Sequence, residues 1–217
     1  MKEHLLTTPL KEEEIRSLEI GDLVYLSGTV FTLRDMGHRR IIDLIENNRE
    51  EQIPFNLYNS TLWHCGPIVK LDHNNSWNIL SAGSTTSSRY TTLGAKLIKH
   101  YSLRAIIGKG TMFSEAHRAM KESGCCYLNT SGGCAAFYAQ QIKEVENVYW
   151  QDLGLPEATW ELSICKLGPL IVGIDAQGNS LFDNMEKIVK KNLKAIYKRH
   201  NLKKSYVNLP KRVPASS

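Results

Sequence analysis

Between Leu103 and Ile142 the hydrophobic period of the chain switches repeatedly, and this limits the fold more than any other feature. Leu103-Arg104-Ala105-Ile106-Ile107 reads as a buried strand and Ser114 to Glu122 as an amphipathic helix. Cys125 to Leu128 reads as a second buried strand, and Ser131-Gly132-Gly133 opens a further helix predicted to run through Ile142. Short apolar strands that alternate with helices bury both kinds of element in layers, which predicts an α/β fold containing parallel βαβ units.

The flanking segments extend this pattern. The first twenty residues, with Pro9 and the charged run Lys11-Glu12-Glu13-Glu14, read as an approach segment. Gly21-Asp22 introduces Leu23 to Phe31, rich in β-branched and aromatic residues, as a strand pair or a bent strand. From Leu33 to about Asn48 the apolar residues fall at helical spacing. At 100° per residue Arg34 and His38 share the buried stripe with Ile41 and Ile45, while Arg39 and Arg40 face water. Thr61 to Lys70 and Trp77 to Leu80 read as strands of a hairpin about Asp72-His73-Asn74-Asn75. Thr86 to His100 reads as a helix whose stripe is headed by Arg89 and continued by Leu93 and Leu97. Strands are expected near Val148, over Trp160 to Lys166 and over Leu170 to Ile174, followed by a Lys-rich helix from about Leu181 to Arg199. Residues 1–200 are read as a single domain and 201–217 as a basic polar tail, disordered or draped over a partner.

Several function classes lose ground. With 217 residues, 42% of them hydrophobic, the chain can bury a core without staples. The start has no signal-like segment and no stretch approaches membrane-spanning length, so a cytoplasmic address and no membrane partner are expected. Five cysteines without a C-x-x-C pair signal neither a disulfide framework nor a zinc ribbon, and no metal site is assigned to this chain. The net charge of +5 lacks aromatic interleaving or a known reader motif, so no nucleic-acid partner is expected. Hydrolase motifs such as H-E-x-x-H or the nucleophile elbow are missing.

The remaining chemistry is cationic. Thr85-Thr86-Ser87-Ser88-Arg89 places hydroxyls and a guanidinium at the mouth of a helix, behind the flexible run Ser81-Ala82-Gly83-Ser84. Gly108-Lys109-Gly110 sets an ammonium at a strand's C-terminal end, where ligands of open α/β sheets gather. Ser131-Gly132-Gly133 could offer free amides to an anion or simply pack a helix tightly on the sheet. Arg34, His38, Arg89 and Lys109 give three fixed positive charges and one titratable group. Arginine grips a carboxylate through parallel hydrogen bonds, so this set suits a dicarboxylate. The bland alternative is an arginine paired to an internal acid such as Asp35, and His38 as a satisfied buried histidine. Thr85 is a poor base unless a neighbouring charge or metal lowers its pKa.

Six ordered segments together resemble a known family. They are Gly21-Asp22-x-Val24-Tyr25-Leu26-Ser27-Gly28-Thr29, Thr32-Leu33-Arg34-Asp35-x-x-His38-Arg39-Arg40, Gly66-Pro67-Ile68-Val69, Thr85-Thr86-Ser87-x-Arg89, Gly108-Lys109-Gly110, and the run from Gly168-Pro169 to Gly178-Asn179. Over roughly residues 5 to 190 the chain resembles the β subunit of class I fumarate hydratases and L(+)-tartrate dehydratases, equivalent to the C-terminal domain of one-chain fumarases. Trp150-x-Asp152-Leu153-Gly154 and the Gly168 to Val172 run lean toward the tartrate dehydratase branch.

The resemblance implies a swivelling β/β/α domain, a mixed sheet with flanking helices, and a hydro-lyase acting on a four-carbon hydroxydicarboxylate. It also implies a larger α subunit in an α2β2 heterotetramer, carrying a [4Fe-4S] cluster that this chain does not ligate. By the same resemblance Thr85 matches the proton carrier, and Arg34, Arg89 and Lys109 match residues that bind substrate carboxylates. His38 lies in the R-D-x-x-H motif and is a further substrate-binding candidate. Two positions depart from the family: Ser84 stands where proline is usual and Tyr90 where methionine is usual. These departures favour the alternative reading, a stand-alone anion-binding or dicarboxylate-binding domain without activity. A nucleotide binder using Gly108 to Gly110 is a third.

Overall fold

The computed structural model describes residues 1–201, so the predicted tail beyond Asn201 lies outside the described residues. In chain order the elements are β1 (Glu3–Thr7), α1 (Glu12–Arg16), β2 (Leu23–Thr32), α2 (Asp35–Glu46), β3 (Thr61–Trp63), β4 (Ile68–Leu71), β5 (Trp77–Ser81), α3 (Thr91–Tyr101), β6 (Ala105–Gly108), α4 (Ser114–Ser123), β7 (Cys126–Asn129), α5 (Ala135–Ala139), β8 (Ile142–Tyr149), β9 (Thr159–Ile174) and α6 (Leu181–Arg199). Strands β2, β3, β6 and β7 lie side by side and parallel, as the alternation predicts. The sheet as a whole is mixed. Strand β9 runs antiparallel to β7 and also to β2, so β2, β3, β6, β7 and β9 close into a ring of hydrogen-bonded strands. Strand β1 pairs parallel with β2, and β8 pairs antiparallel with β9.

Packing follows the pleat. On β6, Ala105 and Ile107 enter one apolar cluster with Trp63, Trp160 and Leu162, whereas Ile106 enters a second cluster with Ile41, Leu97 and Met120 from the helices. Both faces of the central strands are therefore buried, which explains their uninterrupted apolar sequences. Each such Ile or Leu side chain contributes roughly 1.5–3 kcal/mol by leaving water. Helix α4 ends where Gly124 adopts φ +66°, its amide bonded to the Met120 carbonyl. Helix α6 starts at Ser180, whose hydroxyl accepts the Asp183 amide at 3.3 Å.

Five boundaries differ from the sequence expectation. The approach segment contains β1, anchored where His4 Nε2 meets Asp22 at 3.1 Å. The predicted strand from Thr61 to Lys70 divides at His64–Pro67, so that β3 stays in the ring and β4 joins the hairpin with β5. The helix expected from Thr86 begins as a 3-10 turn over Ser87–Tyr90 before α3. The helix expected through Ile142 stops at Ala139, and Ile142 starts β8, because the β-branched Ile142, Val145 and Val148 pair with β9. The two strands expected on either side of Gly168 are one, since a bulge with Lys166 at φ +51° carries the ladder past Gly168-Pro169.

Candidate functional site

The C-terminal ends of β2, β3 and β6 lie next to one another in the ring, and the residues that follow them form the site. Arg34 caps α2 just beyond β2, and its φ of −128° keeps it extended before the helix turns. Its guanidinium lies against Gly66: a Cβ there would stand 2.6 Å from Arg34 Nη1 and 2.5 Å from the Pro156 carbonyl. Arg34 Nη1 donates to that carbonyl at 3.4 Å, and Nε lies 3.3 Å from Glu157 Oε1. The latter contact is one of charge and proximity, because the buried Nε–H is not aimed at an acceptor. Gly66→Ala is therefore expected to displace the Arg34 guanidinium and lower the melting temperature, measurable by thermal unfolding.

The threonine segment is fastened from below. The Thr85 amide donates to the His64 carbonyl at 2.6 Å, and the Ser87 amide to the Lys109 carbonyl at 3.0 Å. Thr86 and Lys109 form a parallel bridge, which brings the Gly108-Lys109-Gly110 loop against Thr85. The loop itself is fixed by Thr130, whose amide bonds the Gly108 carbonyl at 2.8 Å, and by Asn129, whose side chain bonds the Gly110 carbonyl at 2.6 Å. Gly132 packs near the Lys109 stem, where a Cβ would lie 3.7 Å from Cδ. The Ser131 amide is taken by the Tyr138 hydroxyl at 2.9 Å, which ties that segment to α5.

Arg89 pairs with Asp35, the residue after Arg34, so the internal acid foreseen as a partner is the one it meets. The contact uses Nη2 alone, and the Arg89 side chain stays 45% exposed, which leaves N–H groups for a ligand. Burial works against the Asp35 carboxylate, but the hydrogen bond and charge of Arg89 outweigh it, with help from the Tyr90 hydroxyl at 3.2 Å, and hold its pKa below the usual carboxylate range. Lys109 has no ion-pair partner among the described residues. Arg34, Arg89, Lys109 and Thr85 are thus brought to one rim. His38 is not on that rim: it is fully buried behind Tyr90, the rings stacked 4.7 Å apart at 2°, with Nδ1 2.8 Å from the Arg34 carbonyl. Burial lowers its pKa to about 4, so it is neutral at neutral pH.

With this geometry in view, comparison with known proteins is decisive: the sequence profile of the family described as Fumarase C-terminus matches residues 2–185. The chain belongs to the Fumarase C-terminus family. A Methanocaldococcus jannaschii protein named "Putative L(+)-tartrate dehydratase subunit beta" is 42% identical over 181 residues, covering 83% of this chain and 91% of that one. The L(+)-tartrate dehydratase subunit beta of Escherichia coli K12 is 35% identical over 184 residues, covering 85% and 89%. A Geobacillus stearothermophilus protein named "Putative fumarate hydratase class I" is 38% identical over 182 residues, covering 84% of this chain and 34% of that longer one.

Ser84 and Tyr90, read from the sequence as departures, both have partners in the fold. Ser84 Oγ accepts the Trp63 indole N–H at 2.7 Å, which fixes the loop where proline would have done so. Tyr90 is fully buried and bonds Asp35. Within Trp150-x-Asp152, Asp152 forms a two-point ion pair with Arg40 at 2.6 and 3.0 Å while Arg40 lies 5.3 Å from the Trp150 ring, so this motif joins α2 to the segment before β9. The cysteines do not fit as ligands of a [4Fe-4S] cluster. Among the described residues no group of three or more His, Cys, Asp or Glu could hold a metal ion. Cys65, Cys125 and Cys126 are buried, and Cys134 and Cys165 are partly exposed. Sequence reasoning missed His64, Ser87, Tyr127 and Glu157. Of the residues that hold the site, Asp35 carried a signal as a possible arginine partner, and Ser84 and Tyr90 as departures from the resemblance. No helix among the described residues is long and apolar enough to cross a membrane.

Proposed function

We propose that this chain is the β subunit of an iron–sulfur hydro-lyase that reversibly removes water from a four-carbon hydroxydicarboxylate, L-tartrate to oxaloacetate, with malate and fumarate as the other substrate pair. The observation that carries this reading is the meeting of Arg34, Arg89, Lys109 and Thr85 on one rim, in a chain 35–42% identical to proteins named as tartrate dehydratase β subunits. In this reading Arg34 and Arg89 each hold a substrate carboxylate through charge-assisted hydrogen bonds, worth about 1.5–3 kcal/mol apiece. Lys109, beside the threonine segment, is a compact cation that favours the deprotonated hydroxyl of Thr85, which moves the proton at the carbon next to the departing hydroxyl. A [4Fe-4S] cluster, held by an α subunit, would supply Lewis-acid chemistry for that hydroxyl, and we place the pair in an α2β2 heterotetramer. Glu157 and Asp35 restrain the two arginines before substrate arrives.

The rival reading, a stand-alone dicarboxylate-binding domain, drew on Ser84 and Tyr90, and both are accounted for by their partners in the fold. The test is anaerobic co-expression with an α subunit and assay on L-tartrate, malate and fumarate. Activity is expected from the complex and none from the isolated chain. Turnover by the isolated chain without iron, or none by a cluster-loaded complex, would overturn the reading.

A further inference from the structure

We propose that His64 is a positioning residue that sets Thr85 and Lys109 relative to each other through Ser87, an inference that rests on the function proposed above. His64 follows β3 directly and is fully buried. Its amide donates to Ile107 at 2.8 Å, tying it to β6, and its carbonyl accepts the Thr85 amide at 2.6 Å. Its Nδ1 lies 2.8 Å from Ser87 Oγ, two residues beyond Thr85. One residue thereby clips the three-residue segment at both ends, and the segment's remaining amide bond, from Ser87, goes to the Lys109 carbonyl.

Ser87 Oγ accepts the Tyr127 hydroxyl proton at 2.9 Å and lies 2.8 Å from His64 Nδ1. We assign the Ser87 proton to that contact, the arrangement in which it has an acceptor, and His64 then carries its hydrogen on Nε2. His38 donates from Nδ1 to the Arg34 carbonyl, so its bare Nε2 is an acceptor. Both Nε2 atoms are buried without a partner, in rings whose centres are 5.2 Å apart. A donor thus faces the same interior as an acceptor, and the strip Tyr127–Ser87–His64–His38 joins the support of Thr85 to that of Arg34. Nothing bulkier than hydrogen fits at Gly108, where a Cβ would stand 1.9 Å from Ser87 Oγ, so the hydroxyl is confined to this geometry.

In the α/β complex, His64→Leu is expected to lower kcat about thirtyfold or more with KM changed less than about threefold, because it misaligns the proton carrier without touching the carboxylates. His64→Asn can present an acceptor where Nδ1 stood and should stay within about fivefold of wild type. Ser87→Ala should act like His64→Leu, and the double variant should add less than about twofold, because both break the same link. Amide hydrogen exchange over residues 84–90, followed in the same complexes, should quicken in His64→Leu and Ser87→Ala but not in His64→Asn. Independent, multiplying effects of the two substitutions, a His64→Asn as impaired as His64→Leu, or unchanged exchange in Ser87→Ala would each overturn the inference. If His64→Leu does not fold, His64→Asn and Ser87→Ala decide it. If the wild-type complex acts on none of the acids, the functional reading fails, and the exchange data alone judge the clamp.

Discussion

Replacing Thr85 with alanine in the α/β complex is expected to reduce kcat on L-tartrate by about 10²–10³-fold while KM stays within about threefold, the size of effect that loss of a positioned proton carrier produces. The split between the two constants is the informative part. The Thr85 hydroxyl has no hydrogen-bond partner among the described residues, and the segment is held through the amides of Thr85 and Ser87, so removing the hydroxyl leaves the cations in place. Arg89→Met should behave differently, raising KM as well as lowering kcat, if Arg89 holds a carboxylate as proposed. It should also release Asp35, whose carboxylate would then titrate closer to its ordinary range. Steady-state kinetics on both variants checks the assignment, and wild-type constants for Thr85→Ala would remove it from the mechanism.

Acid should loosen the fold well before the carboxylates titrate. His38, fully buried and neutral, has a pKa near 4 in the native chain against 6.5 when exposed, with burial as the main cause. Between those values the unfolded chain binds a proton that the native chain does not, so stability is complete above pH 6.5 and falls as pH drops toward 4, by roughly 3 kcal/mol from this residue. His64 shifts in the same direction, through burial first and the nearness of His38 second, and steepens the slope. Denaturant unfolding at pH 7.5, 6 and 5 should show this decline, and His38→Gln should flatten it. A pH-independent midpoint between 7.5 and 5 would show that the two imidazoles are not held neutral.

Much of the site was legible because its residues obey local rules. Arg34 and His38 share a helical stripe with Ile41 and Gly108-Lys109-Gly110 ends an apolar strand, so spacing brought Arg34 and Lys109 into view, whereas the same stripe carried His38 into the core and the part given to Thr85 came from the resemblance. Their partners were hidden by separation along the chain. Glu157 reaches Arg34 from 123 positions away and Ser87 reaches His64 from 23, distances over which periodicity carries no information. His64 itself sits in Leu62-Trp63-His64-Cys65, where one polar residue in an apolar run has no pattern to distinguish it. Strand β9 was read as two because Gly168-Pro169 is a turn signal, and the bulge at Lys166 that absorbs it depends on pairing with β2. Strand β1 escaped notice because its five residues, three of them exposed, gain their meaning from the β2 ladder.

The closure made by β9 has a further consequence for how such a chain can diversify. The strands that launch Arg34, His64 and Lys109 belong to a hoop without a loose end, so its rigidity does not depend on what the short connections beyond it contain. Under the function proposed above, changes in those connections can alter the groups that meet a ligand while the hoop itself stays as it is.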